Sequence, residues 1–220
     1  MTLTNVKKQS GYDASMPRTT RDSRREILLR AALEEFAAVG FEGAALRSIA
    51  RRAGMESGHL TYYARTKDEL WKQVVETFAA GLLDRVAAIS PQQASTASIR
   101  DARTLLHSLL LHFAEQPLLT RVMLHEFSLS TARNRWVLRR FARPVWLRLR
   151  PLFTSLQKRG LIRGQDPWMA YFGLVGAAII YYGSLPELAS IRGRGRMAAN
   201  SPAMIEWLLD GLFATRVEAP

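Results

Sequence analysis

The chain contains no cysteine, which excludes disulfide frameworks, thiolate metal sites and cysteine nucleophiles and suits a reducing compartment. Strand signals are scarce too. No alternation of apolar and polar residues runs to useful length, and no Asn-Gly or Asp-Gly turn joins two such runs. The N-terminus lacks the apolar stretch of a secretory signal, so a cytoplasmic protein is the expectation. Signatures of catalysis are missing as well: there is no glycine-rich phosphate loop and no nucleophile elbow. The histidines are His59, His107, His112 and His125. His107 and His112 stand five apart, where three or four would align them on a helix face, and the neighbours His125 and Glu126 point in different directions. No metal, cofactor or enzymatic activity is expected. Acidic residues are outnumbered, 19 against 31 Lys and Arg, for a net charge of +12. That implies a polyanionic partner without locating its site: residues 1–72 hold 13 Lys/Arg and 9 Asp/Glu, and the remainder holds 18 and 10.

What is present is helical periodicity. With 48% hydrophobic and 23% charged residues over 220 positions, the composition is that of a globular protein with a real core. Residues 1–20 are polar and aperiodic and read as a disordered tail whose Lys7, Lys8 and Arg18 would lie near phosphates. From Arg21 the apolar residues Leu28, Leu29, Ala32, Leu33 and Phe36 recur at three- and four-residue intervals. Gly40 suits a helix C-terminus, with Phe41 folding back on the core. Thr66-Lys67-Asp68-Glu69 has the form of a capping box opening a helix through Leu70, Val74, Val75, Phe78 and Leu82. After a linker near Ser90–Ser98, helical patterns cover about 99–115, 117–130, 133–160, 167–184 and 202–216. Pro144 and Pro151 would kink or split the third of these.

Between the first helix and the capping box lies LRSIARRAGMESGHLTYYARTK, residues 46–67. Counted from Leu46, apolar or small residues occupy the fourth, fifth, eighth, tenth and fifteenth places (Ile49, Ala50, Ala53, Met55, Leu60), and the ninth is Gly54. This is the spacing of a helix-turn-helix. A small fifth residue lets the helices cross closely, and glycine at the ninth takes the left-handed turn conformation. The second helix would keep its outer side free for a DNA groove. Arg51 and Arg52 read as a solvated helix face.

Residues 21–72 resemble the DNA-binding domain of the tetracycline-repressor (TetR) family of bacterial regulators. The resemblance is carried by LLRAALEEFAAVGF, LRSIARRAG and GHLTYYARTK in order, and extends to the rest of the chain only in outline. It implies an all-α protein divided into a tail (1–20), a three-helix helix-turn-helix domain (21–67) and a larger effector-binding and dimerisation domain (68–220). Such a protein would bind a near-palindromic double-stranded operator as a homodimer, most simply as a repressor released by a small effector. Carried over by position, the DNA-contacting set is Arg47, Ser57, Gly58, His59, Thr61, Tyr62, Tyr63 and Lys67, with Leu60 as buried anchor. A phenol hydroxyl can donate to a phosphate, and a lysine beside a helix N-terminus adds charge where the dipole already favours an anion. Taken without the motif, Tyr62 and Tyr63 are also readable as plain core or surface aromatics. The chain departs from the family pattern at several places. Ala44 and Ala45 stand where a serine or threonine opens the second helix, and Glu56 replaces a serine. His59 replaces a threonine, Thr61 a tyrosine and Ala64 a buried phenylalanine.

The second half offers large side chains to line an effector pocket: Met123, Phe127, Trp136, Phe141, Trp146, Tyr171 and Phe172. The resemblance places a dimer interface on the last two helices, where Gly173, Gly176, Ala177, Ala178, Ile180 and Trp207 would lie. Two alternatives remain at this point. Residues 167–186 carry no charge over a bilayer-spanning length, which permits a membrane-associated protein. A small-molecule-binding or enzymatic protein with a vestigial helix-turn-helix is the other. The Arg192-Gly-Arg194-Gly-Arg196 run reads as a solvated loop rather than a nucleic-acid tract.

Overall fold

The computed structural model describes residues 18–163, 166–192 and 201–213, which form twelve α-helices and one π-helical turn. The tail through Pro17 and the Arg-Gly run from residue 193 lie outside them. Helix α1 (Arg18–Gly43) starts three residues ahead of its apolar pattern, and its inward residues Leu28, Leu33 and Phe36 are fully buried. Gly40, at φ 71°, interrupts the regular helix. Phe41 then turns back, stacked on Phe36 at 6.0 Å and edge-on to Trp71 at 6.5 Å.

Helices α2 (Leu46–Arg52), α3 (Ser57–Tyr63) and α4 (Lys67–Ala87) follow. Thr66 caps α4 by accepting the Glu69 N–H at 3.1 Å, but the Glu69 carboxylate accepts from the Arg65 N–H (2.9 Å), not from Thr66. The expected box is therefore displaced by one residue on its return side. The expected linker at 90–98 contains a further helix, α5 (Pro91–Thr96). Its Ser90/Gln93 capping box and its proline at the first turn are start signals, masked by a Ser/Gln/Thr-rich composition that reads as loop.

Helices α6 (Ile99–Glu115) and α7 (Pro117–Phe127) precede the stretch expected to be kinked or split. It is α8 (Ala132–Val137), a π turn over Leu138–Ala142, and α9 (Arg143–Lys158). Pro144 sits in the first turn of α9. Proline removes one N–H and its ring crowds the carbonyl four residues back; the π turn, closed by Arg143 N–H to the Leu138 carbonyl, accommodates both. Pro151 lies within α9 without ending it. Helices α10 (Pro167–Gly183), α11 (Leu185–Arg192) and α12 (Ser201–Leu212) complete the order. Arg103 of α6 ties down α12 through Glu206 (2.7 Å) and Asp210 (2.8 Å). The apolar stretch 167–186 is broken at Ser184, and no described helix is long and apolar enough to cross a membrane. That removes the membrane-span alternative for these residues.

Two apolar cores result. One joins α1–α4 with Leu119 and Val122 of α7, Val137 and Phe141; the other joins the end of α4 with α5, α6, α9, α10 and α12. Helix α4 enters both, with Leu70 and Trp71 in the first and Val86 in the second. The two cores are thereby joined through packed side chains of α4 rather than through a linker.

Candidate nucleic-acid interface

The turn between α2 and α3 is set by backbone chemistry. The Met55 N–H donates to the Ala50 carbonyl (2.9 Å) and the Gly54 N–H to that of Arg51 (3.1 Å), the paired bonds of a Schellman motif. They require a left-handed residue, supplied by Gly54 at φ 65°. Ile49, Ala50 and Leu60 are at most 1% exposed and pin both helices to α1 and α4. Gln73 of α4 donates to the Tyr63 carbonyl (2.8 Å), holding the end of α3. As the sequence implies, Ala45 gives α2 no side-chain cap, and Glu56 gives none to α3.

This anchoring leaves one side of α3 outward. Ser57, Gly58, His59, Thr61 and Tyr62 are exposed, as is Arg47 of α2, whereas Tyr63 and Lys67 are half-buried. The Thr61 hydroxyl donates to the Gly58 carbonyl (2.7 Å), which leaves its methyl and lone pairs for a partner. Tyr62 and Tyr63 meet edge to face at 5.3 Å. A Cβ at Gly58 would meet nothing within 4 Å, and its φ is not left-handed. Neither backbone strain nor internal packing asks for glycine there. Lys67 is held more tightly than a free phosphate ligand. Its Nζ donates to the Ala44 (3.0 Å) and Glu42 (3.3 Å) carbonyls and lies 4.5 Å from the centre of the Phe41 ring. An ammonium has three protons, so one remains. Arg52 is tied to Glu34 and Glu35 of α1, both at 3.4 Å, and braces the domain. Ala64 is buried in the same core as Trp71, which is 1% exposed.

Behind this face, an apolar cavity of about 70 Å³ lies between α4, α6, α7, the π turn and α10. Met123, Phe127, Phe141 and Tyr171 line it; Trp136, Trp146 and Phe172 do not. Trp136 packs on Trp71 (5.8 Å) and Phe141 (5.5 Å), in the wall toward the head. Trp146 packs on Trp168 (5.0 Å) and Tyr171 (5.1 Å). Phe172 faces out, 62% exposed. Size flagged these aromatics; the side of the helix each occupies decides, and for Tyr171 and Phe172 on the nearly all-apolar α10 short-range pattern does not give it. The lining also includes Val75, Ala79 and the buried His112, none of which stands out from composition. Burial, with the charge of Arg85 second, lowers the His112 pKa to about 4, and burial raises that of Tyr171 to about 12. Both are neutral near pH 7.

On α10, Gly173 and Ile180 are exposed, while Gly176 and Ala177 are half-buried; Trp207 of α12 is 68% exposed. Ala178 is fully buried on the opposite side of α10.

Comparison with known proteins agrees with this geometry. Residues 28–74 match the sequence model of the bacterial regulatory proteins, tetR family. Among solved structures, HlyIIR, a hemolysin II transcriptional regulator, is similar with a TM-score of 0.65 at 17% identity, over 89% of this chain and 99% of that one. A HlyIIR mutant with a segment substituted by alanine gives 0.67 at 17% identity over 89% and 98%. A TetR transcription regulator from Haloarcula marismortui gives 0.55 at 16% identity over 88% and 100%. No curated protein matches the chain significantly in sequence. Residues 28–74 thus carry the sequence of the tetR-family domain, and the chain as a whole shares the fold of those solved regulators.

Proposed function

We propose that the protein is a homodimeric repressor that binds a near-palindromic operator through α2 and α3 and is released by a small effector in the cavity behind them. Residues 21–67 would be the DNA-binding domain and 68–220 the effector-binding and dimerisation domain. The observation that carries the reading is Gly58. It stands on the exposed side of α3 with neither a backbone nor a packing need for glycine, so the reason for it lies outside the chain, in close approach to a phosphate backbone. Ser57, His59, Thr61, Tyr62 and Arg47 surround that approach, Tyr63 and Lys67 support it from the side, and Glu56 opposes it electrostatically. Two-fold symmetry of the protein demands matched half-sites at a fixed spacing.

The dimer is supported by the outer stripe of α10, where Met169, Phe172 and Ile180 are 59–71% exposed around Gly173 and Gly176, and by Trp207. A Cβ at either glycine would meet nothing, so the close approach they allow is unused within one subunit. Effector control is supported by the shared lining. Val75 and Ala79 of α4 border the cavity while Leu70 and Trp71 of the same helix sit under the head. A ligand regulates only as far as it binds one arrangement better than the other.

The test is duplex binding over a salt series against operator fragments selected from random sequence. Wild type should select a two-fold site, and Tyr62→Phe should weaken it and lower the salt slope if that hydroxyl meets a phosphate. Binding without sequence preference in wild type would sink the operator reading.

A further inference from the structure

His112 is a polar feature of the cavity that helix packing leaves unexplained. It is 4% exposed, it lines the cavity, and its Nε2 has no hydrogen-bond partner among the described residues. Its Nδ1 edge lies under α4, where a Cβ on Gly81 would come within 3.8 Å. A buried nitrogen left unpaired is a standing cost to the fold. The rest of the lining is apolar except for Tyr171 and Thr120, whose hydroxyl is directed at the Phe113 (3.1 Å) and Gln116 (2.9 Å) carbonyls. Among the described residues no Asp, Glu, Lys or Arg lines the cavity. A charged ligand would lose its hydration and find no counter-charge there. A purely apolar one would leave Nε2 as it is.

We infer that the cavity takes an uncharged, compact and largely apolar molecule whose single hydroxyl or carbonyl group pairs with His112 Nε2, so that His112 determines ligand specificity. This rests on the reading of the cavity as the effector site and adds the chemistry of the effector. The neutral imidazole can serve either kind of group, since one ring nitrogen donates and the other accepts. At about 70 Å³ the space is smaller than the roughly 150 Å³ of an engineered apolar cavity that binds benzene. Entry therefore displaces Met123, whose unbranched thioether re-packs easily, or Phe127, which is 38% exposed at the edge of the lining.

The experiment is calorimetric titration of the full-length protein with phenol, benzene and benzoate, matched probes with a hydroxyl, no polar group and a charge. Phenol should bind at least tenfold more tightly than benzene, and benzoate should not bind. In His112→Leu the preference for phenol should vanish while benzene still binds. Nitrogen chemical shifts of the His112 ring in wild type give a second readout that needs no variant: phenol should move Nε2 and benzene should not. Equal binding of phenol and benzene, or a phenol preference that survives His112→Leu, overturns the role of His112 and leaves the effector site standing. Failure of all three probes to bind overturns the cavity as a ligand site, and the inference with it.

Discussion

The guanidinium of Arg133 lies 3.5 Å from the centre of the Phe41 ring, joining the start of α8 to the end of α1. The same arginine reaches Glu126 of α7 at 3.3 Å and Glu42 at 3.2 Å, and Glu126, 3% exposed, also accepts from the Thr131 hydroxyl. One side chain thus ties the head to the helices that border the cavity, immediately before the π turn. Arg133→Met should destabilise the protein by about 3 kcal/mol, because it strands the buried Glu126 carboxylate. Urea denaturation measures this; a loss below about 0.5 kcal/mol, the range of ordinary surface changes, would show the tie to be idle.

Gly58→Ala separates folding from recognition. Alanine is better than glycine within a helix by about 1 kcal/mol, and its Cβ has open space, so the melting temperature should rise or stay level. Operator affinity should nevertheless fall at least tenfold, since the added methyl would stand where we propose that the duplex approaches. A stabilised variant with full affinity would remove the main support for the DNA-facing assignment.

At Gly54 the opposite holds. With φ at 65° in the Schellman turn, Gly54→Ala should cost about 1–2 kcal/mol from the left-handed backbone alone. Chemical denaturation reads the loss. Affinity should follow stability, with the salt slope unchanged.

His112 makes stability depend on pH. Its folded pKa of about 4 lies below the ordinary 6.5, so the unfolded chain binds the proton more readily. The contribution is fully present above pH 6.5 and is lost as pH falls through that value toward 4. In all it amounts to about 3 kcal/mol, at 1.36 per pKa unit. Denaturant midpoints between pH 7 and 4.5 should fall less steeply in His112→Leu than in wild type. Parallel curves would show that the imidazole is not buried as described.

Ile180→Arg places a charge on the outer stripe of α10, where the native side chain is 59% exposed. Sedimentation equilibrium should find wild type dimeric and the variant shifted to monomer, with its helical circular dichroism unchanged. An unshifted variant would place the interface elsewhere.

How far the sequence reaches is clearest at particular residues. Gly54, Ile49, Ala50 and Leu60 were legible because the turn and the close helix crossing impose constraints within a few positions, and local pattern records local constraint. Gly40 and Phe41 were legible for the same reason. The helix at 91–96 was hidden because its capping signals sit in residues that equally suit a loop. Lys67 shows the limit of position-by-position inference: its place at the head of α4 was readable, while its bonds to the Glu42 and Ala44 carbonyls depend on how α1 ends beside it.

By itself, then, the sequence determined an all-helical chain, the helix-turn-helix and its outward residues, since periodicity and turn chemistry are properties of neighbours along the chain. Tertiary structure alone decided which aromatics surround the cavity, that His112 lies buried beside it with its Nε2 unpaired among the described residues, and that Arg133 clamps Phe41. Those depend on the rotation of each helix about its axis and on side chains as distant in sequence as Val86 and Phe213 meeting in one core. A helix that is apolar on several sides, such as α10, does not announce which side faces in.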